Sequence, residues 1–157
     1  MKNGIGQPVL RKEDFRLLTG QGQFSDDVNL PGQAYAAIVR SPHAHALIRN
    51  FDLAAAKAAA GVLAVLTGED YLADGLTPIP GNPNPPEVGL TNLDGSEVFL
   101  TPVFPLATGK VRRVGEGVAL VVAETPAQAT DAAELVVVDY QPLPAVTDAA
   151  AALAPGA

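Results

Sequence analysis

The sequence predicts an α+β domain made of two β-β-α-β halves, joined by a long proline-rich loop. Three observations carry this prediction. Apolar runs of strand length recur at Gln33–Arg40, Ala46–Asp52, Val62–Thr67, Val118–Glu124 and Leu135–Tyr140. Alanine-rich, helix-forming stretches, Leu53–Ala60 and Pro126–Glu134, precede two of those runs. Between the halves, Thr77–Pro86 reads TPIPGNPNPP, a proline density that forbids regular helix and ladder.

Each element follows from local chemistry. Residues 1–24 are polar and glycine-rich without a clear period, and predict an extended arm with a short helix near Lys12–Leu18. A single domain is expected over residues 25–153. Asp26-Asp27 and Leu30-Pro31-Gly32 form a turn into the first strand, Gln33–Arg40, which ends at Ser41-Pro42. Ala46–Asp52 is the second strand. Asp52 is placed to cap the helix Leu53–Ala60, and Gly61 to stop it. Val62–Thr67, VLAVLT, is wholly apolar, so a strand buried on both faces is expected there. One helical turn follows at Gly68–Leu72, its acids near the positive end.

Residues 73–104 are expected as a loop, with at most a short strand at Glu97–Leu100. A loop of this length in a compact domain is usually functional, disordered or covered by a partner. Order returns with a short strand at Lys110–Val114, a turn at Gly115-Glu116-Gly117 and the buried strand Val118–Glu124. Thr125 and Pro126 are a helix start, an N-cap hydroxyl followed by proline at the first helical position. Ala129, Ala132 and Ala133 give that helix a small-residue face. Leu135–Tyr140 is the last strand, Gln141–Pro144 a polyproline-like exit, Thr147–Leu153 a short helix and 154–157 a tail. Val62–Thr67 and Leu135–Tyr140 are expected to be central strands, so Val137→Asp should unfold the domain.

Composition bounds the function. The chain has 157 residues, is 48% hydrophobic and carries a net charge of −7. It is long and apolar enough to bury a core. Its acidity weighs against nucleic acid or a membrane surface as partner, both being anionic. The run Lys110–Arg113 reads as a solvated strand edge. There is no cysteine, which excludes a disulfide, a thiolate zinc site and a cysteine-ligated cluster within this chain. The first residues, MKNGIGQPVLRKEDF, lack the apolar core of a secretory signal, and no apolar run has the ~18 residues of a membrane span. A cytoplasmic location is expected.

Two places hold versatile chemistry. His43 and His45 form an HxH pair, and on a strand both would share a face and could reach one metal. Such a site still needs a third ligand. The simpler reading is a turn histidine plus a half-buried one bonded to backbone. Arg40 beside Ser41 could clamp an anion or cap a carbonyl. At Gly115-Glu116-Gly117, a carboxylate between glycines suits either a close backbone approach or a tight turn. Gly20-Gln21-Gly22 lacks the flanking strand and helix of a dinucleotide loop.

Longer phrases are more specific than any single residue. TGQGQFSDDVNLPGQAYAAIVRSPHAHALIRNFDLAAAKAAAGVLAVLTGED and LATGKVRRVGEGVALVVAETPAQATDAAELVVVDYQPLPAVTDAAAAL cover Thr19–Asp70 and Leu106–Leu153. They resemble the opening of the molybdenum-bearing large subunit of the xanthine dehydrogenase, aldehyde oxidase and carbon monoxide dehydrogenase family. The similarity is greatest to carbon monoxide dehydrogenase-like large subunits. Gly117 departs from the pattern, since many members carry proline there.

The resemblance implies an α/β hammerhead fold. It also implies a full-length enzyme with molybdopterin, often as the cytosine dinucleotide, that passes electrons through two [2Fe–2S] clusters to FAD on companion chains or domains. The family's cofactor-binding glycines and catalytic glutamate lie in later domains. No catalytic, cofactor-binding or metal residue is therefore expected in this chain, and Glu116 takes no catalytic role. The expected role is structural, inactive alone. Arg40, Ser41, His43 and Glu116 are expected at interfaces with the molybdopterin-binding domains of the same subunit and with iron–sulfur and FAD subunits. Two other readings stay open: a stand-alone small-molecule or metal-binding module using His43 and His45, and an assembly scaffold for such an enzyme.

Overall fold

A computed structural model describes residues 6, 10–80, 89–98 and 101–155. The chain divides into two compact units, Met1–Gln33 and Ala34–Ala157. In the first, helix α1 spans Asp14–Leu18 and a 3-10 turn spans Ser25–Asp27. Arg11 Nε pairs with Asp14 at 2.9 Å across the start of α1.

The second unit holds strands β1 (Tyr35–Arg40), β2 (Ala46–Asp52) and β3 (Val62–Thr67), with helix α2 (Ala54–Ala58) between β2 and β3 and helix α3 (Gly68–Ala73) after them. It continues with β4 (Lys110–Val111), β5 (Gly117–Ala123), helix α4 (Pro126–Glu134) and β6 (Val137–Pro142). A 3-10 turn at Ala151–Leu153 stands where a short helix was predicted. The strand–strand–helix–strand order predicted for each half is present.

Two antiparallel three-stranded sheets result, ordered β1-β5-β3 and β4-β2-β6. Each sheet takes its outer strands from one half and its central strand from the other. This corrects the expected centres. Val62–Thr67 lies at an edge, and Leu63 and Leu66 are 58% and 41% exposed rather than buried on both faces. The last strand is also an edge, and Val137 is 62% exposed, so Val137→Asp does not place a charge in the core. The physical reason is that an apolar run shows burial but not lateral position. β5, with Val118, Ala119, Val121 and Ala123 fully buried, holds the centre.

Helix α4 starts as its first residues dictate. Thr125 Oγ1 accepts from Gln128 N at 3.2 Å, with Pro126 at the first turn. Ala129 and Ala132, both 1% exposed, let α4 lie close on the first sheet. Ala56 of α2 joins Val65, Ala119, Val121, Ala132 and Val136 in one core cluster; Ala46, Ala107, Val111 and Val118 form a second. Val39, Phe51 and Val138 pack against both clusters and so tie the two sheets together.

Other elements are shorter than predicted. α2 covers Ala54–Ala58 of the expected Leu53–Ala60; Asp52 supplies a capping oxygen, Oδ1 accepting from Ala54 N at 3.1 Å. β4 covers only Lys110–Val111, because Arg112 N turns to the Glu116 carboxylate instead of a ladder. At α3, Asp70 Oδ2 accepts from both the hydroxyl and the amide of Thr67 at 2.7 Å. The Thr67 hydroxyl, then its amide, hold the Asp70 carboxyl below the usual carboxylate range. Apart from Ala73, which ends α3, the described part of the 73–104 loop holds no helix or strand, only isolated bridges Ile79–Val103 and Thr91–Glu97. Glu97 thus makes one bridge; residues 99–100 of the expected strand lie outside the described residues.

Candidate functional site

The segment Arg40–His45 joins the two sheets, running from the end of β1 to the start of β2. Residues 41–45 are not a strand, so His43 and His45 do not project from one strand face as the metal reading requires. Pro42 cannot donate to a ladder, and the chain bends there.

Ser41 is the anchor. It is 2% exposed. Its hydroxyl accepts from His43 N at 3.0 Å and donates to His43 O at 3.1 Å. Its backbone pairs with the 115–116 turn: Ser41 N donates to Glu116 O and Gly115 N donates to Ser41 O, both at 2.8 Å. Arg40 Nη1 donates to Gly115 O at 2.8 Å, so Arg40 caps a carbonyl. Gly115 has φ +82, a conformation that side chains rarely adopt, and this settles Gly115-Glu116-Gly117 as a tight turn.

Glu116 faces its own turn. Its Oε2 accepts from Arg112 N at 2.6 Å, and its Oε1 lies 3.9 Å from the Arg113 guanidinium. His45 Nδ1 lies 2.7 Å from Pro144 O. A carbonyl only accepts, so Nδ1 carries the proton. Leu143 N returns a bond to His45 O at 2.9 Å. The His43 ring meets Tyr140 edge-on, centroids 4.9 Å apart. Burial pushes the Tyr140 phenol up, and its hydrogen bond with the Ser41 side chain pulls the other way.

The structure therefore brings Arg40, Ser41, His43 and Glu116 together, as a braced junction. Each polar group named is met by backbone or a neighbour within the chain. Among the described residues, no group of three or more His, Cys, Asp or Glu is placed to hold a metal ion. Tyr140 and Pro144 belong to this junction and escaped the sequence reading. The pairing of β2 with β6, which sets Ala46 opposite Pro142, brings them there from about a hundred residues away. No local pattern signals that register. Ser41→Ala is expected to lower stability by about 1–3 kcal/mol, because a buried hydroxyl and its partners lose their bonds. Urea unfolding measures this, and an unchanged midpoint would show that the junction is not braced there.

Comparison with known proteins adds identity to this geometry. Residues 19–144 match the family model described as "Aldehyde oxidase and xanthine dehydrogenase, a/b hammerhead domain". The chain is 43% identical over 150 residues to the 6-hydroxypseudooxynicotine dehydrogenase complex subunit gamma of Paenarthrobacter nicotinovorans, covering 95% of this chain and 18% of that one. Among solved structures, quinoline 2-oxidoreductase from Pseudomonas putida 86 superposes with a TM-score of 0.79 at 43% identity, covering 100% of this chain and 19% of the other. The Cu,Mo-CO dehydrogenase does so with a TM-score of 0.76 at 40% identity, covering 98% and 17%. The chain thus spans less than a fifth of the length of these relatives.

Proposed function

We propose that this chain, which belongs to the aldehyde oxidase and xanthine dehydrogenase a/b hammerhead family, is the structural and interface domain of a molybdenum hydroxylase large subunit. The observation that carries the role is the junction itself: its polar groups bond to the chain's own backbone and so brace the connection between the two sheets. In this reading the full enzyme is an oxidoreductase with molybdopterin in its cytosine dinucleotide form, working in the cytoplasm. No helix among the described residues is long and apolar enough to cross a membrane.

The residues present do not fit an iron–sulfur cluster. Without cysteine, the chain cannot ligate a [2Fe–2S] cluster through thiolates. The described residues offer no grouped metal ligands. In this reading molybdopterin, the clusters and FAD belong to companion domains or chains.

The molybdopterin-binding domains of the same subunit are the proposed main partner, with iron–sulfur and FAD subunits beyond. Two features support this. Ile38, Leu120 and Leu66 stand in one row across the first sheet, with Ile38 and Leu66 46% and 41% exposed. An apolar row open to solvent suits burial against another domain. At the junction, Arg40 and Pro42 are exposed while His43 and Glu116 are half-buried, held in shape by buried Ser41.

The test is expression of this chain alone and together with the cofactor domains and companion subunits. Alone, it should purify without molybdenum or iron by elemental analysis and without hydroxylase activity. Together, it should elute with them as one complex. Stoichiometric molybdenum on the isolated chain, or no complex, would overturn the proposal.

A further inference from the structure

The same fold gathers positive charge where the sequence showed only a short basic run. Three of the ten cationic residues of this acidic chain lie within Lys110–Arg113. Pairing of β4 with β2, Ala46 opposite Val111 and Leu47 opposite Lys110, brings His45 beside them. Lys110, Arg112, Arg113 and His45 line one open cleft of about 510 Å³. Val114 and Val146 line it too, 66% and 50% exposed.

These charges are poorly compensated within the chain. Glu116 lies 3.9 Å from Arg113, whose side chain is 66% exposed. Among the described residues, no carboxylate lies within 4.0 Å of the Lys110 or Arg112 side chains. Among the described residues, the Arg112 side chain donates to the Lys110 carbonyl alone, at 3.4 Å. We propose that this cleft is a docking groove for an acidic, extended peptide segment presented by a neighbouring domain or subunit. The proposal rests on the interface role above and names the chemistry of one partner.

Three points select this occupant. Lys110 and Arg112 both line the cleft, on either side of the buried Val111, so successive carboxylates of an extended segment can meet them. Val114 and Val146 suit the apolar side chains between those carboxylates. A compact phosphate is a poorer match. It is best held by converging backbone N–H groups, but Lys110 N is bonded to Thr108 O and Arg112 N to the Glu116 carboxylate.

Fluorescence anisotropy with a labelled peptide of alternating glutamate and valine tests this on the intact chain. Saturable binding at low salt is expected, weakened on the order of tenfold by physiological salt as the charges are screened. Arg112→Glu/Arg113→Glu should weaken it at least as much. Lys110→Glu, which leaves the Glu116 contacts in place, is the second variant, and circular dichroism melting checks that both fold. No saturable binding, equal binding of a lysine–valine peptide, or unchanged binding in the folded variants would overturn the proposal. So would displacement by inorganic phosphate at the same concentration as free peptide, which would make the cleft a small-anion site. Failure here with the complex still forming would leave the interface role standing.

Discussion

Val121→Asp abolishes the folded state in the expected result. Val121 is 0% exposed on the central strand of the first sheet, between Ala37 and Val65 in register. It shares a cluster with Ala56 and Ala132 of the two covering helices. The residues that form this cluster are all apolar, so the carboxylate would be buried unpaired. That costs several kcal/mol, against a total stability of about 5–15 kcal/mol for a domain. Far-ultraviolet circular dichroism and thermal melting should show no cooperative transition. Val137→Asp is the control. Its side chain is mostly in water on an edge strand, so a change within about 0.5 kcal/mol is expected. A native-like Val121→Asp protein, or an unfolded Val137→Asp protein, would show that the centres of the sheets are wrongly placed.

Gly68→Ala is expected to destabilise by about 1–3 kcal/mol through overpacking. A Cβ at Gly68 would sit 2.5 Å from Ala107 O, 2.8 Å from Thr108 Cγ2 and 2.9 Å from the Ala107 carbonyl carbon. Two of those atoms are backbone, and that backbone is held on both sides. Ala107 N donates to Gly117 O at 2.8 Å, and Ile48 N donates to Gly109 O at 2.9 Å. The strain therefore falls on the start of α3, where Asp70 grips Thr67. A lowered urea midpoint measures it. An unchanged midpoint would mean that the 107–109 segment yields freely, and that the second sheet is not anchored there.

Much of this was readable in the chain because it depends on neighbours in sequence. Thr125-Pro126 starts α4 at its expected residue, since a cap and a proline act within one turn. The RSPHAHA phrase and its companions identified the hammerhead, and the family match agrees. The bracing of Arg40, Ser41, His43 and Glu116 was half legible. The residues were singled out, but Tyr140, which meets the His43 ring, and Pro144, which meets His45, lie about a hundred residues further along the chain. Lys110–Arg113 is the solvated edge its sequence suggests, with β4 at a sheet edge and Arg112 and Arg113 exposed, but the cleft it shares with His45 and Val146 was not legible, because those residues are far from Lys110 in sequence.

By itself, then, the sequence determined the elements, their order and the family, all of which rest on local pattern and phrase. Only the tertiary structure decided which strands are central. β5 enters the sheet of the first half and β2 the sheet of the second. Strand pairing is a contest between distant segments for the same backbone donors and acceptors, and hydrophobicity alone does not rank the contestants. Val62–Thr67 and Val118–Glu124 read alike as apolar runs, yet one is an edge and the other the centre. The difference is that β5 can be covered by strands on both sides while α4 covers its face, and that follows from the path of the whole chain.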